Sequence, residues 1–163
     1  MTVYTTTIDT PAGPFTVLAD DDAVLASGWT PTPAALLALE PSLPEPQPRA
    51  DLGAVTKAVL SYLDGDLAAI DAVPVRQRGG AFIAHAWNVL RTVPEPVTYT
   101  RFAALAGRPA AVRAAAMACA TNRAALFVPC HRVLRLDGTL GGFRWGLPVK
   151  RWLLDHEGVN RTG

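Results

Sequence analysis

The segment FVPCHRVL, residues 127–134, places Cys130 between a proline and a histidine, in a 163-residue chain that has only two cysteines. A cysteine reacts as its thiolate, and the pKa of the free side chain is about 8.5. His131 is a candidate base, and Glu157 is a candidate partner that would orient the imidazole. Adjacent strand residues point to opposite faces, so we expect a bridging water or a tight turn at Pro129. A buried structural cysteine beside a histidine remains the alternative at this point.

Upstream of this segment, the chain begins with three short stretches rich in β-branched and apolar residues, which turn-forming residues separate. They are residues 2–8, 14–19 and 23–29. This spacing predicts a small antiparallel sheet. Six of the fourteen prolines lie in residues 31–50, which predicts a loop with one helical turn at 34–39. An amphipathic helix follows, with Asp51 as its expected N-cap and Gly65 at its end.

Between this helix and the cysteine, helical patterns dominate. Residues 81–93 predict a helix that ends at the prolines that follow it. We expect His85 in this helix to be packed or half-exposed, because no second metal ligand lies near it in the sequence. A short helix with Thr100 as its N-cap, a break at Gly107 and a second helix with Pro109 in its first turn together predict a helix-turn-helix.

The remaining elements complete the expected fold. An apolar strand over 125–129 leads to the cysteine, and a final helix begins near Pro148 and ends before Gly158. The chain therefore predicts an α+β fold with two lobes. A small sheet-bearing N-terminal α/β lobe spans 1–75, and a mainly helical C-terminal lobe with the helix-turn-helix spans 76–163.

Charge is unevenly distributed, although the net charge is only +1. Residues 1–98 carry five basic and eleven acidic side chains, whereas residues 99–163 carry ten basic and three acidic ones. A basic half of this kind favours a polyanionic partner such as nucleic acid. The chain lacks an apolar run long enough for a membrane span and lacks a secretory signal, so we expect a cytoplasmic protein. The two cysteines form neither a disulfide framework nor a CxxC zinc pair, and we expect no metal and no cofactor.

Several motifs in one register resemble the O6-alkylguanine-DNA alkyltransferases. They are, in chain order, RQRGGAF, VTYTRFAALAG, the arginine-bearing helix, an asparagine before the strand, PCHRV and WLLDHEG. The resemblance covers roughly residues 75–158. It implies irreversible transfer of an alkyl group from O6-alkylguanine in double-stranded DNA to a cysteine, with the target base flipped out of the duplex. Each molecule would act once, without a cofactor. We expect a monomer, and cooperative binding to DNA is left open.

The resemblance also implies roles for individual residues. The transfer would use Cys130 as acceptor, His131 and Glu157 as the network that draws its proton, Tyr99 as proton donor to the departing guanine and Asn122 to hold the loop. The DNA-binding residues would be Arg113, as the finger that enters the base stack, with Thr100, Arg101, Ala114 and Arg132. The substrate pocket would be lined by Val133, Phe143, Arg144 and Trp145.

Some positions depart from the family pattern. Ala116 and Met117 stand where glycines are common, and Arg123 stands where a proline is common. The GFRWG segment resembles the alkyltransferase domain of the bacterial adaptive-response protein instead of the usual tyrosine followed by small residues. If Trp145 faces the pocket, a methyl group fits and a benzyl group clashes. The alternative is that Trp145 packs beneath the loop while Arg144 reaches a DNA phosphate.

Two other functions fit part of the sequence. A sensor would bind alkylated DNA without transferring the group, but the alkyltransferase-like proteins of this kind lack the reactive cysteine, which is present here. A cysteine hydrolase would use Cys130, His131 and Glu157 and would turn over, but it would not need the basic half of the chain.

Overall fold

The computed structural model describes residues 1–158, and the chain divides into two units. The first unit contains Met1–Gln77 together with the short segment Arg123–Phe127. The second unit contains Arg78–Asn122 and the chain from Val128 onward. The chain therefore leaves the second unit for five residues and returns to it two residues before Cys130.

The first unit is built around a four-stranded sheet with the strand order β3-β2-β1-β4. Its strands are β1 (Tyr4–Thr10), β2 (Gly13–Ala19), β3 (Val24–Gly28) and β4 (Gln47–Pro48). The first three strands pair antiparallel, which confirms the predicted sheet, whereas β4 pairs parallel with β1. Strand β2 begins directly after the turn with Gly13 at φ +116°, a backbone conformation that glycine adopts without steric cost.

Residues 1–77 also form short helices. They are α1 (Ala34–Leu37), α2 (Ala54–Leu63) and a 3-10 helix over Ala69–Ala72. The helical turn expected within 34–39 is confirmed. Asp51 is not the N-cap of α2, because the helix begins at Ala54 after Gly53, and the Asp51 carboxylate instead accepts a hydrogen bond from Gly53 N at 2.7 Å. Gly65, at φ +109°, follows the end of α2 as expected.

Segment 123–127 is tied into the first unit by hydrogen bonds to Ser27. Ser27 N donates to Arg123 O at 2.8 Å, and Ser27 Oγ donates to Ala125 O at 2.7 Å. The strand predicted over 125–129 is wrong, because the chain forms single bridges there and turns at Leu126, whose φ is +77°. A short buried apolar run fits a buried turn as well as a strand, since both hide the same side chains from water.

Within residues 78–158, the second unit contains four α-helices and a two-stranded parallel sheet. The elements are α3 (Ala81–Leu90), β5 (Val97–Thr98), α4 (Tyr99–Leu105), α5 (Val112–Thr121), β6 (Val133–Leu134) and α6 (Leu147–His156), with a 3-10 helix over Cys130–Arg132 before β6. Helices α3, α4 and α5 pack against one another. The Trp87 indole N–H donates to Ala118 O at 2.7 Å and joins α3 to α5 inside this cluster.

Two local expectations in the second unit are corrected. Thr98, not Thr100, is the N-cap of α4, since its hydroxyl accepts a hydrogen bond from the α4 backbone at 3.0 Å. Pro109 lies in the turn before α5, which begins only at Val112. His85 lies at an exposed position of α3, which is compatible with the half-exposed histidine expected there.

The final helix agrees with the sequence. Pro148 lies in the first turn of α6, and Gly158 follows its end at φ +79°. The α+β architecture and the helix-turn-helix formed by α4 and α5 are thus confirmed. In the part of the chain that the structure describes, no helix has the length and apolar character needed to cross a membrane.

Candidate active site

Cys130 is held by the turn before it and by one buried asparagine. It begins the 3-10 helix directly after Pro129, and its side chain is half-buried. The Asn122 side chain donates to Val128 O at 2.9 Å and to Cys130 Sγ at 3.3 Å. Asn122 therefore contacts both the chain before the cysteine and the sulfur itself.

A buried hydrogen-bonded network follows Cys130 in the chain. His131 Nε2 lies 2.7 Å from one oxygen of Glu157. Arg132 Nε donates to the other oxygen of this carboxylate at 2.8 Å, and its Nη1 donates to Val93 O at 2.7 Å. His131 is fully buried, and its Nδ1 has no hydrogen-bond partner within residues 1–158. The network therefore fixes one ring nitrogen and leaves the other open.

Burial and the neighbouring charges set the protonation states of this network. Burial lowers the pKa of His131 more than the Glu157 carboxylate raises it, which favours the neutral imidazole. Burial alone would raise the pKa of Glu157, but the hydrogen bonds from His131 and Arg132, together with the positive charge of Arg132, lower it to about 2. The neutral imidazole then donates its Nε2–H to the carboxylate, so Nδ1 carries the free lone pair. This is the tautomer in which His131 can act as a base.

The thiol is not ionised by its surroundings alone. Burial raises the pKa of Cys130, while the hydrogen bond from Asn122 and the positive charges of Lys150 and Arg144 oppose this effect. A thiol with a raised pKa is mostly protonated at neutral pH, so its reaction requires a base. Residues 1–158 contain no group of three His, Cys, Asp or Glu side chains that could hold a metal ion.

Tyr99 is brought to the same site by the small parallel sheet. It directly follows β5, which pairs with β6, and β6 directly follows the 3-10 helix that contains Cys130. A side-chain carbon at Gly141 would lie 3.6 Å from the Tyr99 hydroxyl oxygen, so the phenol lies beside the loop after β6. Burial raises the pKa of Tyr99 to about 12, and the two cysteines add to this effect. Tyr99 therefore keeps its proton at neutral pH and can donate it.

Lys150 is a residue of this site that the sequence reasoning missed. It is fully buried in α6, and its Nζ donates to Val133 O at 2.9 Å and to Gly142 O at 3.2 Å. Burial lowers the pKa of Lys150, whereas the nearby Cys130 and Cys119 raise it. Lys150 precedes Leu153 by three residues and Leu154 by four, so it lies on the apolar face of α6. This position in the sequence is the signal that predicts its burial.

The predicted pocket residues divide into buried and exposed ones. Val133 is fully buried in β6, and Phe143 and Trp145 are half-buried in the loop that follows. Arg144 is exposed, and its guanidinium donates a hydrogen bond to Ala120 O in the last turn of α5. The Arg144 side chain is therefore directed to the end of a helix.

The predicted DNA-binding residues also divide. Arg113, Thr100 and Arg101 are exposed on the helix-turn-helix, and Ala114 is half-buried beside Arg113. Arg132 is only 4% exposed and holds Glu157, so its assignment to the DNA-binding set is corrected. A guanidinium that is buried against a carboxylate is not available to a DNA phosphate.

Comparison with known proteins places this chain in a family. A model of the DNA-binding domain of 6-O-methylguanine DNA methyltransferase matches residues 81–159. A crystal structure of a variant of the Mycobacterium tuberculosis O6-methylguanine methyltransferase superposes with a TM-score of 0.77 and 30% identity, covering 99% of this chain and 95% of that one. This chain belongs to the O6-methylguanine DNA methyltransferase family. A crystal structure of the M. tuberculosis methyltransferase in complex with DNA gives a TM-score of 0.75 at 28% identity, covering 95% of this chain and 92% of that one.

Curated relatives of this methyltransferase family match over part of their length. The bifunctional transcriptional activator/DNA repair enzyme Ada of Escherichia coli is 50% identical over 90 residues, which cover 54% of this chain and 25% of Ada. The methylated-DNA–protein-cysteine methyltransferase of Shigella flexneri is 38% identical over 108 residues, which cover 65% of this chain and 63% of that protein. The matched regions thus span a quarter of Ada and under two thirds of the Shigella protein.

One departure from the methyltransferase family pattern lies on the exposed face of α5. Met117 follows Arg113 by four residues, so the two side chains share a helix face, and Met117 is 54% exposed. An exposed methionine adds a flexible apolar group to a face that otherwise carries mainly alanine side chains.

Proposed function

We propose that this protein repairs DNA by transferring the alkyl group of O6-alkylguanine irreversibly to Cys130. The observation that carries the proposal is the buried neutral His131, whose Nε2 is fixed by Glu157 and whose Nδ1 is open, next to a thiol held by Asn122. The names of the relatives support the same activity.

Removal of the thiol proton begins the reaction. His131 Nδ1 accepts the proton of Cys130 through a bridging water, and Glu157 stabilises the imidazolium that forms. Arg132 keeps the Glu157 carboxylate ionised and in place. The thiolate is stabilised by the Asn122 hydrogen bond and by the nearby positive charge of Lys150.

Alkyl transfer is an in-line displacement at a saturated carbon. The Cys130 sulfur forms a bond to the alkyl carbon while the bond from that carbon to guanine O6 breaks, and the electron pair remains on the guanine. Tyr99 donates its proton to the departing base. His131 then releases the proton taken from the thiol, and Tyr99 regains one through solvent. The product is a thioether at Cys130 and an unmodified guanine. Water does not readily cleave a thioether, so each molecule acts once.

The helix-turn-helix is the proposed DNA surface. Arg101 and Arg113 are exposed there, and the small side chains of α5 permit a close approach to the duplex. The target base must leave the stack before Cys130 can reach it, which costs a few kcal/mol (roughly) for unstacking and unpairing. Arg113 is the residue proposed to fill the gap. A monomeric state and a cytoplasmic location remain predictions.

The test is an intact-mass measurement after incubation with duplex DNA that carries O6-methylguanine. We expect the native protein and Cys119→Ser to gain a single methyl group, and Cys130→Ser to bind the DNA without gaining one. Binding by the native protein without a mass change would support a sensor instead. A methyl group on Cys130→Ser would show that another residue is the acceptor, and release of alkyl product over many turnovers would indicate a hydrolase.

A further inference from the structure

The last turn of α5 is capped by a residue far along the chain. The final carbonyls of a helix lack partners within the helix, and the helix dipole places partial negative charge there. The last turn of α5 has no basic residue of its own. Arg144, 24 residues later, donates its hydrogen bond to Ala120 O in this turn. Its guanidinium therefore supplies both a donor and a positive charge at the end of α5.

The other contacts of the same loop lead to the reactive cysteine. Lys150 Nζ binds Gly142 O, two residues before Arg144, and also binds Val133 O close to Cys130. At the α5 end, Ala120 lies two residues before Asn122, whose amide donates to the Cys130 sulfur. Arg144 thus joins the pocket loop, the segment after β6 that contains Phe143 and Trp145, to the end of α5. Asn122, which donates a hydrogen bond to the Cys130 sulfur, directly follows that end.

We propose that Arg144 is a positioning residue for the transfer, which fixes the pocket loop to the end of α5 and places positive charge near the Cys130 thiolate. The inference rests on the proposed function, because it names how that site is held. It assigns Arg144 to the support of the thiol and not to a DNA phosphate.

The charge of Arg144 affects the stability of the Cys130 thiolate because few other charged groups of residues 1–158 lie near the sulfur. The acidic groups near the thiol are Tyr99 and Cys119, both of which hold their protons more firmly than usual, because burial raises the pKa of each. The cations near it are Lys150 and Arg144. The Glu157 carboxylate is occupied by His131 and Arg132. Arg144 is therefore one of two cations near Cys130, within the described chain, that favour the thiolate. Because Arg144 is exposed whereas Lys150 is buried, a substitution of Arg144 removes such a charge without removing a buried side chain.

The experiment compares Arg144→Gln, Arg144→Lys and a control, Arg151→Gln. Arg151 is exposed on α6 and its side chain makes no hydrogen bond or ion pair with another residue in 1–158, so its substitution removes one positive charge without removing such an interaction. Three quantities are measured: the pH profile of Cys130 modification by iodoacetamide, located by peptide mass; the rates of reaction with O6-methylguanine as free base and in duplex DNA; and the affinity for unmodified duplex DNA.

For Arg144→Gln we expect the iodoacetamide profile to move to higher pH. Both methyl-transfer rates should fall by about three- to tenfold, the size expected from losing one partly exposed charged hydrogen bond. DNA affinity should equal that of Arg151→Gln. Arg144→Lys keeps the charge and should return the pH profile to that of the native protein, while the transfer rates recover only in part because lysine lacks the planar guanidinium fork.

Three outcomes would overturn the inference. One is an iodoacetamide pH profile that Arg144→Gln leaves unchanged. Another is a pH profile that Arg144→Lys shifts as far as Arg144→Gln does. The third is a loss of DNA affinity with a salt dependence reduced by about one phosphate contact, which would make Arg144 a phosphate ligand. The iodoacetamide arm needs no alkylated DNA. Failure of the native protein to accept a methyl group would therefore refute the proposed function separately from the role of Arg144.

Discussion

Replacing Glu157 by glutamine should destabilise the protein by about 3 kcal/mol at neutral pH. The substitution keeps the shape of the side chain and removes its charge. Arg132, only 4% exposed, would keep its hydrogen bond to Val93 O but would have no carboxylate partner among residues 1–158. Breaking a buried ion pair by removing one partner costs about 3–5 kcal/mol, because the remaining charge is left uncompensated.

The acid titration of Glu157 gives a similar magnitude. Its pKa falls from the ordinary 4.5 to about 2 in the folded protein. At about 1.36 kcal/mol for each pH unit, the folded state gains roughly 3 kcal/mol. Because the pKa is lower in the folded state, this contribution is complete above about pH 4.5 and is lost as the pH falls toward 2. About 1 kcal/mol of it should already be lost at pH 4.

The measurement is urea denaturation of the native protein, Glu157→Gln and a control, Glu95→Gln, at pH 7 and pH 4. Glu95 is exposed and makes no ion pair in the described chain, so its variant should lie within about 0.5 kcal/mol of the native protein. Glu157→Gln should be less stable than the native protein by about 3 kcal/mol at pH 7. Below about pH 6.5 the lowered pKa of His131 removes stability as well, and it removes more in Glu157→Gln, because the carboxylate that raises this pKa is gone. The comparison at pH 7 therefore isolates the ion pair, and a loss under about 1 kcal/mol there would refute the reasoning.

Two further predictions concern the substrate. Arg113→Ala should slow reaction with alkylated duplex DNA at least about tenfold more than reaction with the free alkylated base, because only the duplex leaves a gap to fill; equal slowing of both reactions would contradict the finger role. If Trp145 faces the pocket, the native protein should prefer methyl over benzyl by about ten- to a hundredfold, since overpacking costs ~1–3 kcal/mol. Trp145→Gly should then accelerate benzyl transfer. Second-order rates for O6-methylguanine and O6-benzylguanine in one duplex test this, and a native protein that transfers both groups equally fast would rule out the narrow pocket.

The sequence predicts most elements of this fold because their signals are local. Alternating apolar residues and turn residues indicate the first three strands, and a glycine or proline marks the boundaries of α2 and α6. Helix N-caps are harder to locate from the sequence, because several hydroxyl and carboxylate side chains within a few residues can each serve as the cap. Thr98 caps α4 although Thr100 also fits the pattern, and the Asp51 carboxylate accepts a hydrogen bond from Gly53 N in the turn before α2.

Features that depend on residues far apart in the chain cannot be predicted from local sequence patterns. The apolar run after Asn122 is a turn within the first unit, and only its hydrogen bonds to Ser27 reveal this. The motifs around Cys130 indicate the thiol, the histidine and the glutamate. They do not indicate the buried ammonium of Lys150 or the burial of Arg132, because a basic residue is by default expected at the surface.

The split composition of the first unit bears on how the chain can be made and shortened. Residues 1–77 leave the ribosome well before residues 123–127, so the first unit must wait for the synthesis of residues 78–122 before its last segment arrives. A truncated protein beginning at residue 78 would retain Ala124, Leu126 and Phe127, each at most 2% exposed in the complete fold, without the residues that cover them. Such a fragment should aggregate during expression although it contains the whole PCHRV motif. A shorter version of the protein is better made by shortening loops than by truncating the chain at residue 78.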